Sequence, residues 1–198
     1  MLLSQYIFIY ILYSQYKIIH LYNIILLKKG RLNHVIGGNS MKIIKHFFQK
    51  IILFVLCGYI YCFIELIYRG YTHISMFLLS GFLGVYCINL PHYLCHHKPD
   101  YFERVLSSTI LCTLGEGVTG LIVNVYLGLN VWDYSNLPFT FFCGQCNAFF
   151  VLGWAFIIGI VGIFFCDGYW YYICKYKEQP YYKIFGKEFL RLPKRKNG

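Results

Sequence analysis

Four long stretches of the chain carry few charges, and each has the length of a helix that crosses a bilayer. Such a helix needs about 20 apolar residues and tolerates about 17 to 25. Short polar segments separate the stretches, which are residues 47–67, 74–90, 105–129 and 148–166. The pattern predicts an all-α, polytopic bundle of four transmembrane helices.

The first 40 residues allow two interpretations. Residues 1–27 are apolar enough for a fifth span, although Gln5, Gln15, Lys17, His20 and Asn23 interrupt them. Such a span would put the amino terminus outside. Alternatively, translation begins at Met41, or residues 1–40 are a dispensable extension. We therefore divide the chain into this extension, a transmembrane bundle over residues 41–174, and a basic cytoplasmic tail over residues 175–198.

The distribution of basic residues predicts how the bundle is oriented. Lys and Arg number six over residues 28–50, one after the first span, two after the second, none after the third, and eight over residues 175–196. Cytoplasmic loops carry the excess of Lys and Arg. Both termini are therefore expected in the cytoplasm and residues 130–145 outside, in a multi-pass protein of the plasma membrane.

Composition supports a membrane protein rather than a soluble one. Hydrophobic residues make up 58% of the chain, aromatic residues 21% and charged residues 13%. These shares depart from those of soluble domains. The formal charge of +10 sits in blocks beside the spans, which argues against a nucleic-acid partner.

Three polar side chains in the apolar stretches are candidates for a substrate or proton pathway. Glu116 lies in the third span, where a carboxylate is costly unless it faces protein or a water-filled cavity. Glu65 lies near the outer end of the first span, and Arg69, one turn later, is a suitable ion-pair partner. Asn124 is the third candidate. The alternative for Glu116 is a role in helix packing, and Asp167 is interpreted as a solvated helix end.

The loop before the fourth span has its own motif, Trp132, Asp133, Tyr134, Ser135 and Pro138. Asp133 and Ser135 suit a turn held by bonds to backbone amides, and the aromatic rings suit the membrane interface.

Two cysteines follow that motif in the same loop. Cys143 and Cys146 form a C-x-x-C pair just before a predicted helix, where a disulfide or thiol exchange is an alternative to two free thiols. Membrane thiol oxidoreductases need a second outer pair, which this chain lacks, so that class is the weaker alternative.

The loop motif resembles a known family. With Phe139, then Gly144-Gln145-Cys146 and Trp154, it resembles the carboxyl half of the bacterial ABC transporter type IV permeases. Upstream, Tyr61-Cys62-Phe63-Ile64-Glu65 and Arg69-Gly70-Tyr71 resemble the end of that family's first helix and its turn. The resemblance covers about residues 47–167. Two departures are the missing Gly-Pro segment after Arg69-Gly70 and one extra residue between Phe139 and Gly144.

The resemblance implies a transport role with no named substrate. The chain has no G-x-x-x-x-G-K-[ST] loop, so an ATPase would be a separate subunit docking on residues 90–104 or on the tail. We expect no enzyme activity, catalytic residue, cofactor or metal, and interpret His92 and His96 as interfacial. Anionic lipids are expected at the basic tail. A scaffold or sensor without transport is the alternative, and a homo-oligomer is left open.

Overall fold

The computed structural model describes residues 38–87, 99–176 and 178–195. The predicted fifth span, the end of the second predicted span and the histidines of residues 92–97 lie outside the described residues.

Four helices make up most of the described chain. Three of them, α2, α3 and α4, contain wider π-helical turns, which often occur at functional sites. The helices are α1, Gly38–Arg69; α2, Ile74–Phe82 with a π-helical end, Leu83–Cys87; α3, Tyr101–Gly120 with a π-helical end, Leu121–Tyr126; and α4, Ala148–Ile157, continuing through Ile158–Gly162, Ile163–Gly168 and Tyr169–Ile173.

Three of these helices are long and apolar enough to cross a membrane: Lys42–Arg69, Tyr101–Tyr126 and Ala148–Ile173. The apolar helix Ile74–Tyr86 is shorter. The described chain is therefore mostly helical with three candidate membrane spans, which supports a helical membrane protein, whereas the predicted four spans are not confirmed. The second predicted span continues to residue 90, beyond the described helix.

Polar residues fix where the last three helices begin. Asn147 accepts a hydrogen bond from the Phe149 amide (2.9 Å), and His73 accepts one from the Ser75 amide (3.3 Å). Glu103 accepts one from the Asp100 amide (2.8 Å), as in a capping box. This cap starts α3 at Tyr101, four residues before the predicted start, because the first turn includes the charged residues Glu103 and Arg104 and apolarity alone does not mark it.

The described residues form two compact units. One contains Leu53–Cys62 of α1 and the described chain from His73 onwards, and the other contains the earlier part of α1 with Phe63–Thr72. Small residues let helices of the first unit approach closely. A β-carbon on Gly115 would lie 2.8 Å from Leu79 Cδ1, and one on Gly84 would collide with Cys57. Gly84 and Gly115 are therefore positions where neighbouring helices pack closely.

An ion pair joins the first turn of α3 to the carboxyl-terminal part of α4. Arg104 donates to both carboxylate oxygens of Asp167, at 2.8 and 2.9 Å. Their side chains are only 4% and 13% exposed. The interpretation of Asp167 as a solvated helix end is therefore wrong, because the antiparallel packing of α3 and α4 brings the two charges together away from water.

The tail forms a β-hairpin, which the sequence analysis did not predict. Strand β3, Tyr181–Ile184, pairs with β4, Lys187–Arg191, with a bulge after Tyr182. The Tyr182 ring is buried against Phe164 of α4 and Tyr101 of α3, with centroids 4.6 and 5.9 Å away. The hairpin is thus packed on the two helices rather than extended from them.

An earlier strand pair, β1 at Thr140–Phe141 and β2 at Cys146–Asn147, lies in the loop before α4.

We expect Asp167→Asn to destabilise the protein by about 3 kcal/mol, because it leaves the buried charge of Arg104 without its carboxylate. Thermal unfolding in detergent measures the change. The matched control is Glu188→Gln, which breaks the exposed pair between Glu188 and Arg191 and should cost less than about 1 kcal/mol. Equal losses in the two variants would contradict the interpretation of Arg104–Asp167 as a buried pair.

Candidate functional site

The loop between α3 and α4, residues 128–147, is called the connector here, and it folds back along α3. A β-carbon on Gly117 would lie 3.1 Å from the Phe142 ring, and one on Gly120 would lie 2.7 Å from Gln145 Cβ. Gly117 and Gly120 precede the end of α3 at Tyr126 by nine and six residues. At about 1.5 Å per residue the connector descends roughly 9 to 14 Å along the helix. Irregular backbone at such a depth is tolerated where protein covers it.

A buried polar network fixes the connector to the π-helical end of α3. Asn124 donates to Gln145 Oε1 (2.6 Å) and accepts from the Val131 amide (2.7 Å). The Trp132 indole donates to the Gln145 carbonyl (3.1 Å). Asn124 therefore bonds to the connector near both of its ends, at Val131 and at Gln145. These contacts are structural.

Asp133 and Ser135 form the turn that their spacing predicts. Asp133 Oδ1 accepts from the Ser135 amide (2.8 Å) and hydroxyl (2.6 Å). The bond from the Ser135 hydroxyl, and to a lesser extent the bond from its amide, holds the pKa of Asp133 below its usual value. Gly144 lies against this turn with φ +83°, and a β-carbon there would lie 2.8 Å from Asp133 Oδ1 and collide with Ser135. The turn therefore requires glycine at this position.

The remaining bonds close the connector on itself. Tyr134 donates its amide to the Gly144 carbonyl (2.7 Å), and Asn147 donates to the Pro138 carbonyl (2.6 Å) and to Thr140 Oγ1 (3.0 Å). Asn147 also caps α4, so one side chain starts the helix and ties the loop to it. These bonds make the connector a folded segment with its own internal structure.

The connector closes over Glu116, which is 2% exposed. Trp154 of α4 donates its indole N–H to Glu116 Oε2 (2.9 Å), and Tyr134 of the connector donates its hydroxyl to Glu116 Oε1 (3.3 Å). The carboxyl group thus joins α3, α4 and the connector. Uncharged donors can stabilise a carboxylate away from water.

Aromatic rings hold both donors in place. The Trp154 indole stacks on Tyr61 of α1 at 4.8 Å between centroids, with 20° between the planes. The Tyr134 ring stacks on Phe150 of α4 at 4.5 Å, with 18° between the planes. Stacking fixes the direction of the indole N–H and of the phenol oxygen, and both point at Glu116.

Glu65 lies in the other unit and has local partners. Arg69 pairs with Glu65 Oε1 at 2.5 Å, and Thr72 donates its hydroxyl to Glu65 Oε2. The expected pairing of Glu65 with Arg69 is confirmed. These contacts connect the end of α1 to the turn after it, and a pathway role for Glu65 stays a prediction.

Of the alternatives for Cys143 and Cys146, the structure has the two free thiols. Cys143 is exposed with φ +53°, whereas Cys146 is buried and donates its thiol to the Thr113 carbonyl (3.5 Å). The two side chains therefore point to different surroundings. Burial, and then the charge of Glu116, raises the pKa of Cys146 to about 12. Thiol exchange requires the opposite shift.

Glu116, Asn124 and the connector motif were candidates from the sequence, and the structure brings them together, whereas Glu65 bonds to Arg69 and Thr72. The roles of Gln145, Asn147 and Trp154 were not predicted, although Asn147 directly before an apolar run is a helix-capping signal. Within the described ranges no cluster of three or more His, Cys, Asp or Glu could hold a metal ion.

No family model matches the chain, and no match is found among the curated proteins or the solved structures.

We expect Gly144→Ala to destabilise the connector more than Gly128→Ala does. Both glycines have positive φ, +83° and +64°, but only Gly144 has neighbours within 4 Å. Alanine at Gly128 should cost about 1 kcal/mol of backbone strain, and at Gly144 it adds a collision with the turn. Thermal unfolding measures the stability of both variants. Equal losses of stability would show that the turn of Asp133 and Ser135 accommodates a β-carbon at position 144.

A thiol-alkylating reagent should react at different rates with the two cysteines of the connector. Cys143 is exposed and should react at pH 8, whereas Cys146 is buried and its raised pKa of about 12 leaves it almost entirely protonated. Mass spectrometry of the peptides gives the labelled fraction of each residue. Rapid labelling of Cys146 in the folded protein would show that this thiol is not buried against α3.

Proposed function

We propose that this protein is a transport-type membrane subunit without its own ATPase, in which Glu116 contacts a proton or the substrate. The observation that carries the proposal is the buried Glu116 carboxyl group with one donor in the fixed helix α4, Trp154, and one in the connector, Tyr134. A carboxyl group inside apolar helices is costly and marks pathways in many membrane proteins. A connector that moves away from Glu116 would control access to this carboxyl group.

The connector is suited to move as one piece. Its bonds from Tyr134 to Gly144, from Trp132 to Gln145 and from Asn147 to Pro138 lie within the segment. Its first residue, Gly128, has φ +64° and open space around its Cα. A segment that keeps its internal bonds while it separates from α3 would expose Glu116 without unfolding.

Movement of Tyr134 would change the balance between the two protonation states of Glu116. Burial opposes the charged form, whereas each donated hydrogen bond favours it. When the connector lies over Glu116, the carboxylate has the Tyr134 hydroxyl as well as the Trp154 indole. Opening removes the first of these donors and admits water, so connector position and proton occupancy are coupled.

The orientation proposed for this subunit follows the basic residues. The termini face the cytoplasm of the plasma membrane and the connector faces outside, as the alternation of Lys and Arg indicates. On the resemblance to type IV ABC permeases, a separate nucleotide-binding subunit would dock on residues 90–104 or the tail. A homo-oligomer is compatible with this arrangement.

The competing function is a membrane scaffold or sensor in which Glu116 serves packing alone. Its support is that Glu116 already accepts two hydrogen bonds from well-held donors. Trp154 belongs to α4, and the Tyr134 ring stacks on Phe150 of α4. The two functions differ in one measurable property, which is exchange of a proton at Glu116 while the protein stays folded.

Glu116→Gln tests this difference, because glutamine has nearly the same shape and its oxygen still accepts from Trp154. We expect the wild type to show a carboxylic-acid C=O infrared band that titrates with pH in proteoliposomes, and the variant to lack it. Proton entry under an imposed membrane potential should fall at least about tenfold, a barrier increase of about 1.4 kcal/mol. Glu103→Gln is the matched control, since glutamine also serves a capping box. Identical titration and flux in Glu116→Gln and wild type would remove the transport proposal.

The ATPase partner has its own test. Crosslinking in native membranes followed by purification should recover a subunit with a nucleotide-binding loop. Repeated recovery of this chain alone would contradict the ABC part of the proposal, while the infrared and flux measurements on Glu116 would still stand.

A further inference from the structure

The tip of the tail hairpin places an aromatic side chain where the backbone disfavours one. Phe185 and Gly186 connect β3 to β4 with φ +49° and +75°. A two-residue turn with both φ values positive suits Asn-Gly, and a bulky residue at its first position is strained. The Phe185 side chain is nevertheless 90% exposed. Packing within the described chain therefore does not explain this phenylalanine, and a strained, exposed residue suggests a role outside the fold.

The hairpin is held at the end of a span. Gly186 donates its amide to Asp100 Oδ2 (3.1 Å), and Asp100 directly precedes α3. Tyr182 is buried against Tyr101 and Phe164. These contacts keep the tip beside the inner ends of two helices long enough to cross a membrane, so Phe185 lies where a bilayer surface would be.

Charge around the tip complements an anionic bilayer. Residues 175–198 contain eight Lys or Arg and two Glu. Lys183 and Lys187 flank the tip, and Glu188 is paired with Arg191. A basic side chain near an anionic leaflet strengthens binding about fivefold. Aromatic rings are enriched at the same depth of the membrane, between headgroups and acyl chains.

We propose that the hairpin tip is a membrane-insertion element in which Phe185 enters the headgroup region and Lys183 and Lys187 bind acidic phospholipid headgroups. The partner is the anionic leaflet at the inner ends of α3 and α4. This inference is independent of the role of Glu116, because it depends only on the tail hairpin and its contacts with α3 and α4.

Depth measurements on the full chain test insertion. The protein carries trifluoromethyl-phenylalanine in place of Phe185 and is reconstituted into nanodiscs of phosphatidylcholine with or without phosphatidylglycerol. With phosphatidylglycerol present, we expect the fluorine NMR signal to be broadened by a nitroxide lipid and protected from a water-soluble gadolinium chelate. Broadening by the chelate alone in both lipids would overturn the proposal.

Phe185→Asn distinguishes a loss of insertion from a loss of folding, because Asn-Gly is the preferred sequence for this turn. The hairpin should be retained, as shown by unchanged resistance of the tail to protease, while phosphatidylglycerol kept through purification falls several-fold. Phe185→Leu keeps an apolar tip and should retain the lipid. Lys183→Gln and Lys187→Gln should each lower retention by about fivefold, with less effect at high salt. Wild-type lipid retention in Phe185→Asn would show that the tip does not insert.

Discussion

The structure around α3 depends on one constraint: polar groups within apolar helices must have hydrogen-bond partners, since an unsatisfied buried group costs about 1 to 3 kcal/mol. Glu116 and Asn124 place two such groups on α3, and the connector contributes Tyr134, Gln145 and the Val131 amide to them. In return, α3 provides glycines at the positions where the Phe142 and Gln145 side chains of the connector pack. Helix and connector therefore satisfy each other's buried polar groups.

The same constraint explains why the connector is folded rather than loose. A mobile loop at the level of Gly117 would expose peptide groups to hydrocarbon, which is costly without internal bonds. Short β1–β2 pairing, the Asp133 turn and the Asn147 cap satisfy those groups locally. Order in the connector is thus a requirement of its position, and it holds Tyr134 over the Glu116 carboxyl group.

The long apolar runs made the helices predictable, because a span is determined by local composition. The pairing of Glu65 with Arg69 and the turn of Asp133 with Ser135 were predictable for the same reason, since each involves residues at most four apart. The pair of Arg104 with Asp167 joins residues 63 apart, and Trp154 reaches Glu116 across 38 residues. Such contacts depend on how α3 and α4 pack, which apolar periodicity does not encode. The tail hairpin was missed because its strands are short and its turn residue, Phe185, is atypical.

The ion pair between Arg104 and Asp167 has a consequence for biogenesis. Each charge alone would add about 2.5 to 3.5 kcal/mol to the insertion of its helix if it were placed centrally in the bilayer, and less near the edge. The cost is offset when both helices enter together, because Arg104 donates two hydrogen bonds to Asp167. It follows that α3, the connector and α4 leave the translocation machinery most readily as one preassembled helical hairpin, with the charges neutralised before lipid surrounds them.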